Sequence, residues 1–84
     1  NWGKMKIKQE LHRRGLSEYS IQQGMKEIPE ASYQAGLKDV LVKKRVQLQR
    51  TETDKFKLKQ KLVRFALGKG YESELVWKTV ESLD

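Results

Sequence analysis

An imperfect internal repeat limits what this chain can fold into. Arg14-Gly15-Leu16 recurs in type as Lys69-Gly70-Tyr71, 55 residues later. Ile21, Met25 and Ile28 recur at that same offset as Val76, Val80 and Leu83. Upstream of the glycines, Ile7-Lys8-Gln9-Glu10-Leu11 corresponds to Leu58-Lys59-Gln60-Lys61-Leu62, at an offset of 51. The two offsets differ by four residues, about one helical turn, so the apolar stripe stays in phase. Each copy is therefore a helix, a basic-Gly-apolar turn and a second helix. Units of this kind are too small to bury their apolar faces alone and lean on their neighbours.

The apolar spacing predicts five helices and no strands, because period-3.6 patterns dominate and no strand-length alternation occurs. The first is expected at about Lys4–Arg14, with Ile7 and Leu11 inside. Gly15 ends it in the left-handed conformation, and Leu16 folds back against it. The second is expected at about Glu18–Ile28, capped by Ser17 and closed by Pro29, the one proline. The third runs over about Ala31–Gln49, with Tyr33, Leu37, Val40, Leu41 and Leu48 inside. Thr51, Thr53 and Asp54 mark the next boundary. The fourth runs over about Lys55–Lys69, with Leu58, Leu62, Phe65 and Ala66 inside, and Gly70 ends it. The fifth runs over about Ser73–Leu83. The fold class is thus all-α, built from tandem three-helix, helix-turn-helix-like repeats. Residues 1–50 form the first repeat, and residues 51–84 form a second that stops after its second helix.

Composition narrows the function. The chain of 84 residues carries 18 Lys+Arg against 11 Asp+Glu, a formal charge of +7. Such an excess favours polyanionic partners, namely nucleic acid, an anionic membrane or an acidic protein surface, over a merely solubilising role. Cysteine is absent, which excludes disulfides and thiolate metal sites and fits a reducing cytoplasm. No apolar run approaches the roughly 20 residues that span a bilayer. The start at Asn1-Trp2-Gly3-Lys4 is neither an initiator methionine nor a signal peptide and reads as an internal fragment of a longer protein.

No catalytic constellation is evident. His12 is the lone histidine and has no metal-ligand cluster around it. The serines fit caps and turns better than nucleophiles. Gly68-Lys69-Gly70 is too short for a phosphate loop and ends a helix rather than starting one. Neither an enzyme, a cofactor nor a small-molecule substrate is expected.

The charge is placed unevenly. The first helix carries Lys4, Lys6, Lys8, Arg13 and Arg14 against Glu10. The fourth carries Lys55, Lys57, Lys59, Lys61, Arg64 and Lys69 with no acid, and Lys43-Lys44-Arg45 adds a basic knot on the third. The fifth is acidic, with Glu72, Glu74 and Glu81 around Lys78. Because that second helix of the turn is not basic, base-specific reading of DNA is disfavoured. The candidate partner-contacting residues are Arg13, Arg14, Lys43, Lys44, Arg45, Lys59, Arg64 and Lys69. Among the aromatics, Tyr33, Phe65 and Tyr71 read as packing; Trp77, one residue off its apolar stripe, reads as packing at the edge of the core, with an exposed anchor for a partner or for the missing third helix as the alternative.

These residues carry a resemblance. Lys6-Ile7-Lys8-Gln9-Glu10-Leu11, Arg14-Gly15-Leu16-Ser17, Ile21, Met25, Tyr33 and Leu37, with Trp2-Gly3 just ahead, resemble the tandem three-helix repeats of the RecX family, bacterial regulators of the RecA recombinase. The resemblance covers nearly the whole chain, as a middle and a C-terminal repeat. It implies a monomeric, cytoplasmic, non-enzymatic protein that binds the RecA–single-stranded DNA filament, lies in its groove and restrains its activity. The family's N-terminal repeat and the final helix of its last repeat have no counterpart here. A helical module that binds DNA or RNA without a recombinase is the alternative.

Overall fold

The computed structural model describes residues 2–83. Five helices follow one another: α1 Lys4–Arg13, α2 Glu18–Lys26, α3 Glu30–Gln49, α4 Lys55–Gly68 and α5 Ser73–Ser82. There is no strand among the described residues, so the all-α helical-repeat architecture stands. The boundaries differ from expectation mainly around Pro29. α2 stops at Lys26, because the next amides turn back tightly, with Ile28 N–H donating to the Met25 carbonyl at 3.3 Å. Pro29 then serves as N-cap residue of α3, with φ −63° and an extended ψ.

The repeat is visible in the backbone. Gly15 and Gly70 have φ of +84° and +91°. In the first turn Gly15 N–H donates to His12 O at 3.0 Å and Leu16 N–H to Leu11 O at 3.2 Å. In the second, Gly70 N–H donates to Leu67 O at 3.0 Å and Tyr71 N–H to Ala66 O at 3.3 Å. Both are the paired bonds that close a helix through a left-handed glycine. α1 has 10 residues and α4 has 14, so the extra turn lies in the helix ahead of the second glycine, as the offsets require. Side chains cap two helices. Ser17 Oγ accepts from Ser20 N–H at 3.1 Å, and Asp54 Oδ1 accepts from Phe56 and Lys57 N–H at 2.9 and 3.2 Å. Each such cap satisfies amide donors that the helix itself leaves unpaired.

The main core belongs to α3, α4 and α5. Tyr33, Leu37 and Leu41 meet Leu62, Val63 and Ala66, and Tyr71, Val76 and Val80 complete the cluster. The spacing i, i+4, i+8 on α3 puts its three contributors in one stripe, and α3 packs on both α4 and α5. The rings of Tyr33 and Tyr71 lie 5.4 Å apart and are tilted by 38°. α1 packs on α2, with Ile21 fully buried, and the pair reaches α3 through Lys4, whose ammonium pairs with Glu30 at 3.1 Å. The sequence repeat, which groups α3 with α1 and α2, and the packing thus divide the chain at different places. The molecule is elongated, 46 × 23 × 18 Å.

A backbone joint attaches the α1–α2 pair to the rest. Gly3 N–H donates to Lys69 O at 2.8 Å and Met5 N–H to Gly70 O at 3.0 Å. Lys4 N–H donates to the Tyr33 hydroxyl at 2.8 Å, and that hydroxyl donates to Glu72 Oε1 at 2.5 Å. Free amides of the α1 N-terminus therefore meet free carbonyls at the α4 C-terminus, and each satisfies the other. Gly3 is buried, and a Cβ there would overlap the Gly70 carbonyl and the Tyr71 nitrogen. Burial, followed by donation to Glu72, raises the Tyr33 pKa well above that of an ordinary phenol.

Two expectations about apolar residues are corrected. Leu16 makes its backbone bond, yet its side chain stays 44% exposed, whereas the equivalent Tyr71 is 2% exposed. The difference follows from the neighbours, since Tyr71 lies against Tyr33 and the joint at Gly3. Trp77 is 43% exposed, because the α5 stripe that meets the core runs through Val76 and Val80.

Candidate basic interface

The candidate cations fall into three places. Arg13 and Arg14 lie at the C-terminal end of α1, remote in sequence and fold from the joint. Both bind Glu10: Arg13 at 2.8 Å and Arg14 at 3.2 Å from its Oε1. The Arg13 hydrogen bond is the main reason the Glu10 carboxyl lies below its usual pKa. These side chains are exposed and paired along one helix, so the pairs add little stability and leave the guanidinium groups facing solvent. His12 Nε2 lies 3.1 Å from Glu18, a polar contact between α1 and α2.

The second place is the end of the three-helix core. Arg45 and Lys59 line one groove there with Gln49, Lys55, Leu58 and Leu83. Arg45 Nη1 donates to the Leu83 carbonyl at 2.6 Å. A guanidinium on a C-terminal carbonyl complements the negative end of α5. The same groove thus presents cations while one of them holds the helix end.

The third place is a cleft between α3 and α4, where Lys43, Lys44 and Lys69 come together with Val40, Gln47 and Phe65. Lys44 Nζ lies 4.7 Å from the Phe65 ring centroid and Lys69 Nζ lies 5.2 Å from it. Lys43 is tied to Asp39 at 3.0 Å, one turn back on α3. Phe65 is half-buried rather than internal, which changes its expected role from core filler to floor of a basic cleft. Its spacing from Lys69, four residues on at the C-cap of α4, was legible in the sequence. Its meeting with Lys44 across two helices was not. Gln47 also enters the cleft without any sequence signal.

Arg64 is exposed on α4. At 100° per residue it shares a stripe roughly 60° wide with Lys57 and Lys61. Lys61 binds Glu52 at 3.0 Å, and that bond is the main cause holding the Glu52 carboxyl below its ordinary range. The structure thus joins Lys43, Lys44 and Lys69 in one cleft and Arg45 with Lys59 in another. It leaves Arg13 and Arg14 at the far tip of α1. Among the described residues there is no His/Cys/Asp/Glu group able to hold a metal ion. No helix there is long and apolar enough to cross a membrane.

The family described as RecX, third three-helix domain, matches residues 32–80. That span holds nearly all of α3 and α5 and the whole of α4, the helices sharing the main core. Regulatory protein RecX of Clostridium acetobutylicum is 34% identical over 71 residues, covering 82% of this chain and 33% of that protein. The chain therefore spans about a third of that relative's length. No solved structure matches. From the matched three-helix domain and this relative together, the chain belongs to the RecX family.

Proposed function

We propose that this chain is part of a non-enzymatic cytoplasmic regulator that binds the RecA–single-stranded DNA filament and restrains recombinase activity. The observation that carries the reading is the distribution of cations over an elongated helical body of a RecX-family protein. Basic sites at the tip of α1, between α3 and α4, and at the end of the core offer several separated contacts along 46 Å. A repeating filament presents the same surface at regular intervals, so a long basic module can touch more than one protomer. Restraint then follows from bridging, because protomers held together by one ligand lose the motions that activity needs.

The contacts proposed first are Arg13, Arg14, Lys59, Arg64 and Lys69, supported by Lys43, Lys44 and Arg45. The repeat boundaries 1–50 and 51–84 stand as a proposal about the sequence period. The shared core of α3, α4 and α5 defines the cohesive packing unit.

The test is binding of the intact parent protein to RecA assembled on single-stranded DNA, beside bare DNA and free RecA, at two salt concentrations. Preference for the filament over both components supports the reading. Equal binding to bare DNA would support a general nucleic-acid module. Its affinity would fall by roughly 0.7–0.9 log units per log unit of salt for each phosphate contacted. Alanine at the five first-ranked positions is expected to weaken filament binding with the helix content unchanged; full binding by that variant would remove the site assignment.

A further inference from the structure

The cleft between α3 and α4 places two ammonium groups on one aromatic ring. Among the described residues neither Lys44 nor Lys69 has a carboxylate partner, although lysines elsewhere on the chain do, at Glu18, Glu30, Asp39 and Glu52. Two like charges drawn to one ring repel each other, and the attraction of each for the ring offsets this only in part. The floor is apolar, from Val40 and Phe65, and Gln47 adds an amide that both donates and accepts. The site is therefore a shallow depression with an apolar floor and cations at its rim.

We propose that this cleft receives an acidic segment of a protein partner. One carboxylate sits between the Lys44 and Lys69 ammonium groups, and a neighbouring apolar side chain covers Val40 and the edge of Phe65. This deepens the filament-binding reading and rests on it for the source of the segment. Charge complementarity argues for a carboxylate, since an anion at that point relieves the repulsion between the lysines. Nucleobase stacking is disfavoured, because Lys44 and Lys69 already occupy the approach to the ring that a base would need. A phosphodiester backbone is better matched by the outer stripe of α4, where Lys57, Lys61 and Arg64 share one face.

The test uses the whole chain labelled for NMR, with two probes: a short peptide alternating glutamate with leucine, and oligothymidylate. The peptide is expected to shift Lys44, Gln47, Phe65 and Lys69. The double substitution Lys44→Gln with Lys69→Gln should weaken it by about tenfold or more, whereas Lys57→Gln should change it less than about twofold. Both variants are checked by circular dichroism, and since Lys44 lies on α3 and Lys69 at the C-cap of α4, both partly exposed, a native spectrum and melt are expected. Shifts that map elsewhere, full affinity in the double variant, or oligothymidylate displacing the peptide from these residues would overturn the proposal. The double substitution in the intact parent separates the two readings. Loss of peptide binding with normal filament binding would refute the filament as source of the segment. Failure of the unsubstituted parent to bind filament, with peptide binding retained, would count against the filament reading alone.

Discussion

Substituting Gly3 with alanine tests the joint between the α1–α2 pair and the three-helix core. Gly3 has φ −72° and ψ 161°, which alanine adopts freely, so any cost must come from space. The added Cβ overlaps the Gly70 carbonyl and the Tyr71 nitrogen, and both are main-chain atoms that cannot swing aside. The N-terminus of α1 must lift, which breaks three bonds: Gly3 N–H to Lys69 O, Met5 N–H to Gly70 O, and Lys4 N–H to the Tyr33 hydroxyl. At about 0.5–1.5 kcal/mol each, their loss costs about 1.5–4.5 kcal/mol. Alanine offsets about 0.4–1 kcal/mol by restricting the unfolded chain, leaving a net loss of about 0.5–4 kcal/mol. A chain of this size has a total stability of about 4–13 kcal/mol, so the change is measurable. Gly15→Ala is the control. It meets no atom within 4 Å but sits at φ +84°, so it carries backbone strain alone, for a net loss of about 1 kcal/mol or less. Gly70→Ala combines φ +91° with a Cβ only 2.6 Å from Lys6 N and should be the worst of the three. Urea denaturation at constant m, with amide exchange at Met5 and Leu41, reads the order. Equal losses for Gly3→Ala and Gly15→Ala, or unchanged protection at Met5, would refute the joint.

Three further outcomes are expected. Leu41→Ala empties a fully buried site shared by three helices and should cost about 2–5 kcal/mol in urea denaturation, with α1 and α2 retained at low urea. Asp54→Ala removes the acceptor for two α4 amides and should cost about 1 kcal/mol, measured as a lower urea midpoint and faster exchange at Phe56 and Lys57. Stability should fall as pH rises above about 10, because the folded state raises the Tyr33 pKa above the unfolded value. The neutral phenol is common to both states below pH about 10, where its contribution is complete; above it the unfolded state releases the proton first. Tyr33→Phe should flatten this alkaline limb of the urea midpoint, leaving the smaller part that belongs to Tyr71, whose pKa burial also raises.

Much of this protein is decided locally and is therefore legible in order along the chain. The 3.6-residue apolar spacing marks all five helices, and Ser17, Asp54, Gly15 and Gly70 mark where they start and stop. These signals act within one turn of backbone, so neighbouring residues suffice to set them. The internal offsets also carried the extra turn of α4, because inserting one turn preserves the phase of a helical stripe. Charge along each helix was equally plain, including the acid-free α4.

Tertiary structure alone decided which of these elements share a core and which cations meet. A repeat of period 55 reads the same whether α3 closes one unit or opens the next, and it does not show that Tyr33, Leu37 and Leu41 pack onto α4 and α5. The role of Gly3 is likewise invisible locally, since its backbone angles are ordinary and the atoms that exclude a side chain lie 67 residues away at Gly70. Lys44 and Lys69 converge on Phe65 only because α3 and α4 pack side by side. Helical periodicity states which face of a helix is apolar, but the partner of that face is chosen by the shape and volume of the side chains opposite, across separations that no local pattern spans.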